Sequence, residues 1–289
     1  DMLGSLVYVG GMAVEEALDV VGIDGTVLGA ELDRIGYRGT SPCPGPSPRA
    51  FVELHVEQGP VLEAEGVTIG AVTGVQGISW TELTITGQSN HAGTTPMDLR
   101  HDPGYVAAAV VAHVRELALR MGSRQVGTVG RLELHPNLVN VVAASATMTV
   151  DLRNTDEALL QEAEADLARF VADAATVEGV TVAERTLARF EPVTFDDRVV
   201  DTVAAVASDL GHTVRRMPSG AGHDAQMLAR VCPTGMVFVP SHDGISHNPA
   251  EHTEPDDLVA GADVLLQAIM ALDGLALDGP PPDRSEVGP

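Results

Sequence analysis

The sequence is poor in aromatic residues, cysteine and positive charge, and each shortage excludes something. Aromatic residues make up 3% of the 289 residues, so the core must be built from alanine, valine and leucine. The two cysteines, Cys43 and Cys232, lie far apart without C-x-x-C spacing, which favours reduced thiols and a cytoplasmic protein. Lysine and arginine number 17 against 41 acidic residues, and the net charge of −24 argues against nucleic acid or an anionic membrane surface as a partner.

Long apolar runs are missing as well. No stretch approaches the roughly 20 residues that a membrane-spanning helix needs, and no basic segment followed by an apolar one resembles a leader. We therefore expect no membrane partner. The hydrophobic content of 44% and the length of 289 residues are those of a globular protein with one large or two ordinary domains.

The most informative stretch is Phe51–Pro60, which reads FVELHVEQGP. Its apolar and β-branched residues predict a strand that ends at Gly59 and Pro60. With a period of two, Glu53, His55 and Glu57 would share one face of that strand. Such a row suits the wall of a metal site, since a ligating histidine needs an acceptor for its other ring nitrogen. Taken alone, the row fits equally well a buried histidine satisfied by a neighbouring carboxylate.

A second histidine-rich stretch, Ser241–His252, shifts this balance towards a metal site. It contains three histidines, with acidic or amide residues between them and a glycine and a proline that favour a loop. Loops of this kind follow strand ends in α/β enzymes and assemble their sites. Imidazole and carboxylate ligands together suit zinc, manganese, cobalt or nickel.

The order of predicted elements indicates one α/β domain that is interrupted by a second domain. Residues 1–76 and 194–277 alternate helices and strands, whereas residues 77–193 follow the order β-α-β-β-α-β of a ferredoxin-like split unit. The predicted strands of the insert are 78–86, 126–133, 140–152 and 180–190, and its predicted helices are 103–121 and 156–175. The tail, residues 278–289, has no core pattern and is expected to be disordered.

Five motifs occur in a fixed order along the chain: ELHVEQGP, GQSNHAGTTPMDLRHDP, HPNLVNVV followed by VDLRN, SGAGHDAQ, and GISHNPAEHT. This set resembles the hydantoinase/carbamoylase branch of the M20 metallo-amidohydrolases, which includes N-carbamoyl-L-amino acid hydrolases, β-ureidopropionases and allantoate amidohydrolases. The resemblance runs from about Gly4 to Leu272. It implies a metallo-exopeptidase-like catalytic domain with an inserted lid and dimerisation domain, in a cytoplasmic homodimer.

The resemblance also implies roles for individual residues. His55 and His247 would be metal ligands, in a complete enzyme that holds two divalent ions per subunit. His91 would stabilise the oxyanion, commonly across the dimer from the neighbouring subunit. The residues that would contact the substrate are Gln58, His91, Asn140, Arg153, Gly222 and His223. Without the motifs, Arg153 would be interpreted as a surface residue at a strand end and Asn140 as a turn residue.

The implied reaction is metal-dependent hydrolysis of a linear amide bond in an N-carbamoyl or ureido acid, with release of ammonia and CO2. An M20 aminoacylase or peptidase, and a non-catalytic dimerising protein, remain alternatives. The family's upstream His-x-Asp motif, bridging aspartate and Glu-Glu pair are not identifiable in the sequence. Glu15 and Glu16 form such a pair, but their surroundings predict an exposed face of a helix. We therefore expect residues 1–289 alone to bind metal weakly and to be inactive.

Overall fold

The computed structural model describes residues 2–22, 24–122, 124–275 and 277. The chain forms two compact units: unit 1 contains the described residues up to Val75 and from Val193 onwards, and unit 2 spans Gln76–Pro192. The predicted disorder of residues 278–289 lies outside the described residues. Within the described residues, no helix is both long enough and apolar enough to cross a membrane.

Unit 1 is built on a five-stranded mixed sheet. Its strands are β1 Phe51–Val56, β2 Ile69–Val75, β9 Val193–Thr194, β10 Val214–Ser219 and β11 Thr234–Val239. They follow the order β1-β11-β2-β10, and β9 pairs with β2. Strand β1 runs parallel to β11, so the carboxyl ends of both strands lie at the same edge of the sheet. This edge therefore carries the end of the ELHVEQGP motif and the start of the histidine-rich loop.

Strand β11 lies inside the sheet, between β1 and β2, and its burial fits that position. All six of its residues are buried, as expected for a strand covered on both faces. Helices α7 (Asp197–Asp209) and α9 (Pro255–Asp273) contribute valine and alanine to the same core. The other helices of unit 1 are α1 Leu3–Val9, α2 Val14–Leu18, α3 Leu28–Arg34, α4 Val61–Glu65 and α8 Asp224–Leu228, with a 3-10 turn at His242–Gly244.

Unit 2 has the element order β-α-β-β-α-β: β3 Gly77–Thr86, α5 Pro103–Met121, β5 Val126–His135, β7 Ser145–Asn154, α6 Glu157–Glu178 and β8 Thr181–Phe190. Its four long strands pair antiparallel in the order β5-β7-β3-β8, and the two helices pack on the sheet. A separate two-stranded ladder joins β4 (Asn90–His91) to β6 (Val141–Val142).

Aspartate side chains begin the two helices of unit 2. Asp102 accepts the backbone N–H groups of Gly104 and Tyr105, and Asp156 accepts that of Leu159. The carboxylates satisfy N–H groups that have no partner within the helix, which is why each helix begins at that residue. The buried faces of α5 and α6 then meet alternate residues of β7, whose burial alternates along its whole length.

Two local predictions were wrong. The predicted strand 140–152 is interrupted, because its first residues pair with β4 and the rest form β7. Glu57 does not continue the row of Glu53 and His55, because β1 ends at Val56. The predicted exposed helix around Glu15 and Glu16 is confirmed, as both residues are exposed in α2.

Candidate metal centre and substrate site

Strand β1 places Glu53 and His55 on one face of the sheet of unit 1, two residues apart. The Nδ1 atom of His55 lies 2.7 Å from the Val56 carbonyl oxygen. A carbonyl oxygen can only accept, so Nδ1 carries the ring hydrogen of the neutral imidazole. The lone pair of Nε2 is therefore available to a metal ion. A fixed tautomer of this kind is what a ligating histidine needs.

The side chain of His223 lies next to those of Glu53 and His55. It is the capping residue of α8, is 3% exposed, and its ring centroid lies 4.7 Å from that of His55. The short helix is attached to β1 directly, because the Ala225 N–H donates to Glu53 Oε2 at 2.8 Å. Asp224 accepts a hydrogen bond from Ser5 and is exposed, so it acts as the helix N-terminal acid.

Together, Glu53, His55 and His223 form a group that could hold a metal ion. One ligand atom of each side chain lies within 4.8 Å of the others. Two imidazoles and one carboxylate are the donor set of known catalytic zinc sites, which keep a fourth position for water or substrate. The ligand atoms of Glu53, His55 and His223 therefore fit a divalent metal ion.

The electrostatics of the cluster follow from its burial. Desolvation, and to a smaller extent the neighbouring His55, lowers the pKa of His223 to about 4, while Asp224 opposes the shift. Burial also raises the pKa of the Glu53 carboxyl, with the Ala225 N–H acting in the opposite direction. The imidazole of His223 is thus neutral at physiological pH, which is the form that binds metal.

Gln58 contacts the histidine-rich loop, which contains His247, and neither residue belongs to the group of Glu53, His55 and His223. The Gln58 backbone N–H donates to the Ser241 hydroxyl at 2.9 Å, and its side-chain amide donates to the Ser246 hydroxyl at 3.0 Å. Both Gln58 and His247 have a positive φ, of 59° and 56° respectively. His247 is exposed, and its N–H donates to Glu251. The structure brings Gln58 to the loop, but it does not place His247 in the group of Glu53, His55 and His223.

Gly222 lies immediately before the buried His223. The glycine itself is exposed, and a Cβ atom added to it would lie 3.1 Å from the methyl carbon of Met2. That contact is tight but involves the end of a flexible side chain. A side chain at this position would therefore displace the end of the Met2 side chain.

In unit 2, the structure brings His91 and Asn140 together. His91 pairs with Val141 in the two-stranded ladder, and the Ala92 N–H donates to the Asn140 carbonyl at 2.9 Å. The Gly93 N–H donates to His91 Nδ1 at 3.1 Å, so the neutral ring carries its hydrogen on Nε2. His91 is exposed and presents an N–H donor at its outer nitrogen. This is the group that an oxyanion requires.

Arg153 lies on β7 with a partner of its own. Its Nη2 atom is 2.7 Å from Asp151 Oδ2, and its side chain is 23% exposed. The guanidinium carbon also lies 5.8 Å from the centre of the Trp80 ring. The arginine is thus held in a defined orientation on the face of the sheet opposite the helices, where the odd-numbered side chains of β7 point. Binding a substrate carboxylate there would compete with Asp151.

Sequence reasoning missed part of the cluster. The period-two spacing puts Glu53 in a row with His55, but the resemblance gives Glu53 no role. The resemblance assigns His223 to substrate binding, and nothing in the motif of His223 indicates contact with His55, 168 positions earlier. Glu57 is a buried cap instead: its two carboxylate oxygens accept the N–H groups of Val61 and Leu62 at the start of α4.

Comparison with known proteins places this fold and site in a family. Residues 5–271 match the model of peptidase family M20/M25/M40. The chain is 39% identical over 269 residues to an N-carbamoyl-L-amino-acid amidohydrolase of Rhizobium meliloti, covering 93% of this chain and 65% of that protein. It is 43% identical over 221 residues to the allantoate amidohydrolase of Escherichia coli, covering 75% of this chain and 53% of that protein. The chain thus spans less than two thirds of these relatives.

Solved structures agree. A hydantoinase/carbamoylase family amidase from Burkholderia multivorans superposes with a TM-score of 0.89 at 44% identity, covering 94% of this chain and 66% of that one. A second one, from Burkholderia ambifaria, gives a TM-score of 0.84 at 41% identity over 96% of this chain and 67% of that one. Motifs, fold and comparisons therefore agree that this chain belongs to peptidase family M20/M25/M40, in its hydantoinase/carbamoylase branch.

Proposed function

We propose that the protein carrying this chain hydrolyses the linear amide bond of N-carbamoyl or ureido acids in a metal-dependent reaction, releasing ammonia and CO2. The observation that carries the proposal is the cluster of Glu53, His55 and His223, whose donor atoms suit a divalent ion. The activities named for the relatives, on N-carbamoyl-L-amino acids and allantoate, supply the substrate class.

Side chains of unit 1 would hold the metal, and Glu53, His55 and His223 are the candidates. A divalent ion bound there polarises a carbonyl oxygen and lowers the pKa of a bound water. Zinc, manganese, cobalt and nickel all suit this donor set. His247 remains a proposed ligand of a second ion, because its motif matches the family and its loop follows β11 at the sheet edge where β1 ends.

The proposed substrate contacts in unit 1 are Gln58, Gly222 and His223. In unit 2 they are His91, Asn140 and Arg153. Arg153 would clamp the carboxylate of the acid, since a guanidinium binds a carboxylate through two parallel hydrogen bonds. His91 would donate its Nε2 hydrogen to the oxyanion that develops as the carbamoyl carbon is attacked. That role is supported by the Gly93 N–H, which donates to Nδ1 and so leaves the ring hydrogen on Nε2.

The test of the reaction uses the full-length gene product. Ammonia release should be measured from N-carbamoyl-L-amino acids and allantoate, after treatment with a chelator and again after addition of zinc, manganese, cobalt or nickel. We expect activity to disappear with the chelator and to return with metal, and His55→Ala to abolish it. His212→Ala, outside the cluster on the same unit, is the control. Turnover of N-acetyl amino acids or dipeptides in preference to carbamoyl substrates would assign the protein to the aminoacylase or peptidase alternative instead.

We also propose a cytoplasmic homodimer formed through unit 2. Strand β5 is an edge strand, and it exposes Val126, Leu132 and Leu134 to the extent of 45%, 45% and 37%. An exposed edge with apolar side chains is a template for pairing with a second copy. Sedimentation of the full-length protein should give a dimer. A concentration-independent monomer would refute this proposal.

The dimer makes a further test of His91 possible. His91→Ala should lower kcat by on the order of 100- to 1000-fold, the cost of losing one oxyanion donor. If His91 acts on the site of the neighbouring subunit, mixing His91→Ala with His55→Ala should restore activity. In the mixed dimer, one site has intact metal ligands from the His91→Ala subunit and an intact His91 from the His55→Ala subunit. If heterodimers form but activity does not recover, His91 does not act across the dimer.

A further inference from the structure

The loop that follows His91 is held by the side chain of Arg100. This arginine lies just after the 3-10 turn Met97–Leu99 and is half-buried. Its Nη2 atom donates to the Ala92 carbonyl at 2.7 Å, and its Nε atom donates to the Thr95 carbonyl at 3.2 Å. One guanidinium thus bridges the first and the fourth residue after His91.

The Ala92 carbonyl belongs to the same peptide group as the Gly93 N–H. A trans peptide is planar, so its C=O and N–H bonds point in opposite directions. The Gly93 N–H donates to His91 Nδ1 at 3.1 Å. The peptide between Ala92 and Gly93 therefore connects the Arg100 guanidinium on one side to the imidazole of His91 on the other.

Other contacts hold the same loop in this conformation. The Ala92 N–H donates to the Asn140 carbonyl at 2.9 Å, so Ala92 is held through both its N–H and its carbonyl. The His91 carbonyl accepts the N–H of Thr95 at 3.2 Å and its hydroxyl at 2.8 Å. Arg100 adds a charged donor, and hydrogen bonds from charged donors are roughly twice as strong as those between neutral groups. Loss of Arg100 would free the Ala92 carbonyl to turn, and the next N–H in the chain would turn with it.

We propose that Arg100 is a positioning residue, which acts through the peptide between Ala92 and Gly93 to hold His91 as an oxyanion donor. The Gly93 N–H takes the lone pair of Nδ1, so the hydrogen of the neutral ring stays on Nε2. A charged donor at the peptide oxygen also polarises the peptide, which makes its N–H a stronger donor to Nδ1. The inference rests on the role proposed above for His91.

The hydrogen bond between Gly93 and His91 can be measured without any metal or substrate. In the full-length protein labelled with ¹⁵N, a scalar coupling across this hydrogen bond should join the Gly93 nitrogen to His91 Nδ1, and His91→Gln assigns the signal by removing it. We expect the coupling in the wild type and in Arg120→Ala, and its loss in Arg100→Ala. Arg120→Ala is the matched control, because it removes the same charge from unit 2 at a guanidinium that contacts Asp166 instead.

Kinetics separate positioning of His91 from a general loss of stability. Arg100→Ala should lower kcat for carbamoyl substrates with little change in KM, by no more than the loss, on the order of 100- to 1000-fold, expected for His91→Ala. In a protein that already carries His91→Ala, the same change should have no further effect, because Arg100 acts through that histidine. A further loss of kcat in the double variant would refute this route.

Absence of the coupling in the wild type would overturn the proposal, even if Arg100→Ala failed to fold. A coupling that persists in folded Arg100→Ala would overturn it too, whatever the activity of the variant. The proposed function fails separately. A wild type whose coupling depends on Arg100, but which hydrolyses no carbamoyl or ureido acid, would support the positioning of His91 and refute the proposed reaction.

Discussion

Acid should destabilise unit 1 through His223. The folded pKa of this histidine is about 4, against 6.5 for an unperturbed histidine. Between these values the unfolded chain binds a proton that the folded chain does not bind, so stability falls as the pH falls. The contribution is fully present above pH 6.5 and is lost by pH 4. At about 1.4 kcal/mol per pKa unit, the whole loss is about 3 kcal/mol, of which about 2 kcal/mol falls between pH 7 and pH 5.

Glu53 acts in the opposite direction, because its folded pKa is raised. A variant is therefore needed to isolate His223. We expect the opening free energy of β11 to fall by about 2 kcal/mol more in the wild type than in His223→Gln between pH 7 and pH 5. Hydrogen exchange of β11 in chelator measures this quantity, corrected for intrinsic exchange rates. Fluorescence would not, since the single tryptophan, Trp80, lies in unit 2.

The control for this experiment is His212→Gln, which should keep the pH dependence of the wild type. The reasoning would be refuted if the wild type and His223→Gln lost stability in parallel. It would equally be refuted by an NMR titration that found His223 protonating near pH 6.5. Either result would mean that desolvation of this ring is much weaker than its 3% exposure implies.

Three other predictions concern single contacts. Glu57→Gln should destabilise unit 1 by about 1–3 kcal/mol, because one N–H at the start of α4 loses its acceptor, whereas Glu65→Gln should not; hydrogen exchange measures both. Leu160→Ala, at a fully buried position, should cost unit 2 about 2–5 kcal/mol in urea unfolding followed by Trp80 fluorescence. Arg153→Ala should raise KM for substrate acids by roughly 10- to 100-fold, from a bidentate pair worth about 1.5–3 kcal/mol. Unchanged selectivity for acids over amides would exclude Arg153 as the clamp.

Local patterns in the sequence predicted most of the fold. The apolar stripes of α5 and α6 and the strands between them were predictable because helix and strand periods are properties of neighbouring residues. The interruption before β7 was not predictable. Val141 and Val142 are as suited to a long strand as the residues after them, and only pairing with Asn90 and His91 separates them. A strand partner distant in sequence leaves no local signal.

The sequence by itself determined the family, the fold class and the histidines worth considering, because ordered motifs and side-chain periods are local. Only the tertiary structure decided that Glu53, His55 and His223 converge, and that Glu57 caps a helix. The two glutamates lie on either side of His55 at equal spacing, yet β1 ends between the second one and the histidine. The burial that makes His223 neutral likewise arises where α8 packs on β1. Desolvation and hydrogen-bond partners depend on that packing, which no short stretch of sequence contains.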